Sequence, residues 1–215
     1  YVDSFDFVER NKATELDIWI RTIESAKALP MAYQQHLVPI QFTWDDHDAG
    51  VDNATKDYPL MSVARAATSA VYGGHDIPNV IENGEGGVHK YVKWAGQHFF
   101  LLDNRSFRTS HKDNDRFGHF GEAQEKWLFN HLEGIKEGAV HLMNGDMWGS
   151  QTQFKPRPDG SQKRLTESFF GDHPLNYREF MKKLNALPNV TYLLYSGDIH
   201  FSQIIEHSPR QKGNS

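Results

Sequence analysis

The chain contains no cysteine, which excludes disulfides, zinc–thiolate sites and thiol nucleophiles together. No apolar run approaches the roughly 20 residues of a membrane-spanning helix, and no stretch at the start reads as a secretion signal. Basic residues are outnumbered: 23 lysines and arginines stand against 28 aspartates and glutamates, a net charge of -5. Such a balance gives no basic footprint for a nucleic-acid backbone, so an anionic small molecule would have to be met by local arginines or by metal. What is present, 38% hydrophobic residues over 215 positions, is enough for one sizeable core. The expected organisation is one domain over residues 1–205 and a polar tail at 206–215.

Hydrophobic spacing supplies the elements. Residues 14–29 set Leu16, Trp19, Ile20, Ile23, Ala26 and Leu29 at helical intervals ahead of Pro30, predicting a one-sided surface helix. Pro59 suits the first turn of a second helix that runs to Tyr72 and stops at Gly73-Gly74. Two more are expected over 122–132 and onward from Pro174. Strands are expected over 38–42, 88–94, 98–102, 139–143 and 190–195, the third apolar enough to be buried on both faces. The stretch 83–87, NGEGG, reads as a turn, and 150–162, rich in Gln, Pro and Gly, reads as a loop over one face.

Four of these strands hand over to polar clusters: DDHD after 38–42, DNR after 98–102, NGD after 139–143 and GDIH after 190–195. In layered α/β folds ligands bind outside the carboxyl ends of strands, so the clusters point to one convergent site. The densest is Thr43 to Asp48, TWDDHD, with Asp45, Asp46, His47 and Asp48 in consecutive positions. Adjacent carboxylates repel one another and lose hydration at a buried strand end, so either their pKa values rise or a cation sits among them. The alternative is a solvated acidic turn with a salt-bridged histidine. Asp198 and His200, separated by one residue, can reach the same centre as Asp46 and His47, and together they suffice to begin a two-metal hydrolase site. There His47 is placed to give a proton to a leaving alkoxide, its ring held by Asp45 or Asp48. Arg105 and Arg108 could clamp phosphate oxygens, or Arg105 could pair with Asp103 or another acid. Asn144 could lend an amide oxygen to a metal and Asp146 a carboxylate, or both could stabilise the loop.

In order along the chain, TWDDHD, FFLLDNRSFR, GEAQEKWL and LLYSGDIHFSQI resemble the successive motifs of the alkaline phosphatase D (PhoD-like) family, within the calcineurin-like metallophosphatase superfamily. The resemblance runs from Tyr1 to about Ile205 and implies an α/β fold, a four-layer β-sandwich flanked by helices, over a partial catalytic domain. It implies hydrolysis of phosphomonoesters or phosphodiesters at a two-metal site, with iron and calcium as the metals and an extracytoplasmic location. It places Asp46, Asp198 and His200 among the metal ligands and His47 as the proton donor. Tyr1 and Asp3 resemble the end of a Gly-Asp-x-x-Tyr-x-Asp motif in which the tyrosine binds iron; the first aspartate of that motif, which bridges the metals, is not in this chain. Relatives often carry Asn-Asp where this chain has Asp52-Asn53, which leaves open which of the two faces the metal. Asn104 replaces the more usual threonine. A small phosphate ester is the expected partner, and a noncatalytic metal- or ligand-binding domain on the same fold is the alternative.

Overall fold

A computed structural model describes residues 12–28, 41–73, 80–82, 86–113, 115–149, 154–164, 168–187 and 190–197. The architecture is α/β. Strands β1 (Val80–Glu82), β2 (Lys90–Trp94), β3 (Gln97–Leu101), β4 (Ala139–Met143) and β7 (Thr191–Tyr195) form a mixed sheet in the order β1-β2-β3-β4-β7. The first three are antiparallel neighbours, whereas β3, β4 and β7 run parallel. The two parallel connections carry the helices, as a parallel crossover requires. Helix α4 (Glu122–Gly134) precedes β4, and α5 (Phe169–Asp172) and α6 (Pro174–Ala186) precede β7.

The register sets one sheet face inward. Phe100 lies opposite Leu142 and Leu142 opposite Leu194, with Val140 two residues earlier on β4. These side chains share a core with Leu128, Phe129 and Leu132 of α4, Phe180 and Leu184 of α6, and Phe120, Trp148 and Phe169 from the connecting loops. The opposite face bears His141, Leu193 and Tyr195, the last two exposed. Of the expected sandwich, the described residues comprise this one large sheet with its helices. The other sheet among the described residues is a two-stranded one.

A smaller core lies beside the first. It gathers Ile18 of α1 (Glu15–Ala28), Trp44, Ala49 of α2 (Asp46–Ala49), Ala54, Val88, and Met61, Ala64 and Ala67 of α3 (Met61–Tyr72). The periodicity in 14–29 gives the helix but not its orientation. Ile18 is the buried residue of α1, while Leu16, Ile20 and Ile23 face outward, Leu16 at 66% exposure. The inward side presents Arg21, Thr22 and Ser25 to a small cavity that Asp48 also lines. Polar groups on that side suit an acidic neighbour, and this overrides the apolar count.

Two local expectations change. The alternative reading of TWDDHD as an acidic turn gives way to a short helix: Asp45 is the N-cap of α2, and the Asp48 carboxylate accepts the Asp45 backbone N–H at 3.0 Å, half of the reciprocal cap that starts many helices. The stretch 150–162 is not all loop, because β5 (Phe154–Pro156) and β6 (Gln162–Arg164) pair as a short antiparallel hairpin across a turn containing Asp159-Gly160. Turn residues between short segments had concealed the pairing. Residues 38–40, 83–85, 198–200 and 206–215 lie outside the described residues, as do Tyr1 and Asp3.

Candidate metal centre

Three of the four polar clusters meet at the carboxyl end of the parallel strands. Asp103 begins the assembly. It is wholly buried, and its Oδ1 accepts from the Trp44 indole at 2.6 Å and from the backbone of Arg105 and Ser106, while Oδ2 accepts from the Val88 backbone. Gln124 of α4 completes it by accepting the Asp103 N–H and donating to the Asp103 carbonyl. One carboxylate thus ties the turn after β3 to TWDDHD, 59 positions away. Gly145 closes the arrangement. A Cβ there would lie 2.4 Å from the Trp44 carbonyl oxygen and 2.9 Å from the Asp45 Cβ, so only glycine lets the turn after β4 reach this close. Gly197 does the same on the next strand: its N–H donates to the Gly145 carbonyl at 3.0 Å, and a Cβ there would collide with that oxygen.

On this platform Asp46, His47 and Asp52 bring one ligand atom each to within 4.8 Å of one another. Asp46 is buried and fixed by two backbone donors, the His47 N–H at 2.8 Å on Oδ1 and the Asn53 N–H at 2.7 Å on Oδ2. Asp52 and Asn53 sit differently around it. Asp52 contributes its carboxylate to the cluster, and Asn53, in the left-handed conformation at φ 60°, contributes its backbone N–H.

Both arginines lie buried against acids. Arg105 places Nε and Nη2 at 2.6 Å from Asp45 Oδ1, which also accepts from Asn104 Nδ2 at 2.8 Å. Burial nevertheless outweighs the pull of Arg105 and pushes Asp45 up to about 8. Arg108 spans two acids, with Nη1 at 2.6 Å from Asp146 Oδ2 and Nη2 at 2.6 Å from Asp172 Oδ2. His119 adds a contact at 3.2 Å to Asp146 Oδ1. At Asp146 burial favours the neutral acid, but His119 and Arg108 overcome it and hold the carboxyl well below its usual range. Asn144 stands on this network through Nδ2, which donates to Asp146 Oδ1 at 2.7 Å.

Sequence reasoning did not find His119, Asp172 or His173. His119 lies in a turn, Asp172 at the end of α5 and His173 at the cap of α6, with no patterned signal. His173 is buried with neither ring nitrogen hydrogen-bonded, and burial, together with His119, pushes its pKa down to about 2, so the ring is neutral. His131 Nδ1 pairs with the carbonyl of Trp127 one helical turn back. Tyr1, Asp198 and His200 lie outside the described residues; the described chain ends at Gly197, directly before the Asp-x-His pair.

No protein-family profile and no curated protein sequence matches the chain. Among solved structures it is similar to a structure of PhoD, at 19% identity and a TM-score of 0.51, over 74% of this chain and 34% of that one. The chain therefore has a PhoD-like fold and spans about a third of that chain's length. No helix among the described residues is long and apolar enough to cross a membrane.

Proposed function

We propose that the chain belongs to a metal-dependent phosphoester hydrolase and that Asp46 and Asp52 form part of its metal centre, with His47 beside them. The observation that supports this is the meeting of two carboxylates and an imidazole within 4.8 Å on a fold shared with PhoD. The donors fit a metal. Carboxylate oxygen and imidazole nitrogen suit ions such as iron, manganese or zinc, and each Asp46 oxygen keeps a lone pair after accepting one backbone N–H. A cation held there supplies Lewis acidity and a counter-charge for an anionic ester.

The chain's own residues supply the rest. The N–H groups of His47 and Asn53 fix the Asp46 carboxylate, so its orientation is set before any ligand arrives. His47, half-buried and next in sequence, would pass its ring proton to the departing alkoxide oxygen. Arg105 and Arg108 lie among the same turns, but each must leave a carboxylate before it can hold a phosphate oxygen. Tyr1, Asn144, Asp198 and His200 as further ligands, iron and calcium as the ions, and an extracytoplasmic setting belong to the same proposal.

The test is hydrolysis of bis(p-nitrophenyl) phosphate and p-nitrophenyl phosphate with iron and calcium supplied, with bound metal measured on the same samples. The expected result is metal-dependent release that His47→Ala lowers by about 10²-fold or more. Retained metal in that variant identifies a proton donor, and lost metal a ligand. Bound metal without hydrolysis in the unsubstituted chain would favour a noncatalytic binding domain.

A further inference from the structure

The helix that carries Asp46 and His47 is a single turn. Helix α2 spans four residues, too few to hold its own shape, so both of its ends must be fixed from outside. Its start is tied through Asp45, whose Oδ1 meets Arg105 and Asn104 Nδ2. Its end is Gly50, which closes the turn by donating its N–H to the Asp46 carbonyl at 2.7 Å. The Gly50 carbonyl in turn accepts from Arg21 Nη1 of α1 at 3.3 Å. Tyr58 confines Gly50 further, because its ring occupies the place a Cβ would take. Gly50 also lies between the two carboxylates of the cluster, four positions after Asp46 and two before Asp52. Its place therefore helps to set how far Asp52 stands from Asp46.

Helix α1 is turned so as to make this contact. Leu16, Ile20 and Ile23 face outward, while Arg21, Thr22 and Ser25 line the cavity shared with Asp48. Hydrophobic burial alone favours the opposite rotation, so a polar demand on the inner side decides it. Thr22 does not supply the link, since its hydroxyl donates to the Ile18 carbonyl within α1. We propose that Arg21 is a positioning residue for the metal cluster: by holding the Gly50 carbonyl it fixes the spacing between Asp46 and Asp52 before an ion arrives. It acts through the backbone and not as a ligand, because a guanidinium offers donors only. Groups that hold metal ligands from behind contribute to affinity in this way. The inference rests on reading Asp46 and Asp52 as metal ligands.

Mn²⁺ binding to the 215-residue chain tests it, followed by loss of the free-ion EPR signal where circular dichroism shows each variant folded. Arg21→Met, which keeps a long stem and removes the donors, is expected to raise the Mn²⁺ Kd about tenfold or more. Arg21→Lys retains a donor for the carbonyl and should recover most of that loss. Thr22→Val changes the same cavity wall without a link to Gly50 and should leave the Kd unaltered. The role is overturned if Arg21→Met binds as the unsubstituted chain does, if Arg21→Lys binds no better than Arg21→Met, or if Thr22→Val weakens binding equally. Absence of saturable Mn²⁺ binding by the unsubstituted chain overturns it as well. Arg21-dependent binding without hydrolysis of bis(p-nitrophenyl) phosphate would sink the hydrolase reading and leave the positioning role standing. Hydrolysis with a Kd indifferent to Arg21 would do the reverse.

Discussion

Two groups of acids sit at the same end of the sheet, and their charges are settled differently. Asp146 and Asp172 share Arg108, with His119 against both Asp146 and Arg108, and every member is buried. In TWDDHD, burial outweighs attraction instead: Asp45 is pushed up to about 8 despite Arg105. Acids with a cation of their own form a scaffold. Acids short of positive charge form the place where an external cation is stabilising, because a bound ion replaces the protons that burial would otherwise impose.

The scaffold group should break hardest. Arg108→Met leaves Asp146 and Asp172 buried without their guanidinium and is expected to cost about 3–5 kcal/mol in urea unfolding at pH 7. Adding Asp146→Asn and Asp172→Asn should recover much of that loss. Failure of the triple variant to recover would show that Arg108 works through packing rather than charge.

Glu125 on α4 sharpens the contrast, as a buried acid whose partners do not prevail. Burial pushes it up to about 7 from 4.5, against an Asn176 amide and the half-exposed Lys183 at 3.6 Å. The folded state keeps the Glu125 proton up to about pH 7, while the unfolded chain releases it near pH 4.5. The unfolded state thus binds fewer protons in that window, and stability falls as pH rises from 4.5 to 7. Glu125→Gln should remove this decline and stabilise the chain at pH 8 by on the order of 3 kcal/mol. Parallel stability–pH curves for the two proteins would contradict the assignment.

The cation-poor group should answer to metal instead. Mn²⁺ at a hundred times its Kd is expected to raise unfolding stability by about 3 kcal/mol. The paired change Asp46→Asn with Asp52→Asn should shrink that gain, and an unchanged gain would place the ion elsewhere. The smallest effect concerns Ser168, whose Oγ accepts the Gly171 N–H at 2.8 Å and caps α5, the turn that carries Asp172. Ser168→Ala should cost about 1 kcal/mol in thermal unfolding without altering the manganese gain.

Much of the framework was legible because regular elements need only local pattern. The strand at 139–143 is the one observed, α4 begins at Glu122, and α6 begins at Pro174, where proline fits a first helical turn. The handover from β3 to Asp103-Asn104-Arg105 and from β4 to Asn144-Gly145-Asp146 was also readable. The orientation of α1 was not, since apolar spacing counts faces without knowing that Arg21 points toward Gly50 and Asp48. Nor could the hairpin of β5 and β6 be seen through its turn residues.

Sequence by itself determined an α/β chain without thiol chemistry, with acids, asparagines and arginines gathered at strand ends and a resemblance that proved to match the fold. Tertiary structure alone decided which acid each arginine meets. Arg105 finds Asp45 across 60 positions rather than its neighbour Asp103, and Arg108 finds Asp172 across 64. The reason is physical: Asp103 is already filled by Trp44 and by backbone N–H groups from Val88, Arg105 and Ser106. Ion pairing follows distance and desolvation in the folded chain, and neither quantity is carried by sequence separation.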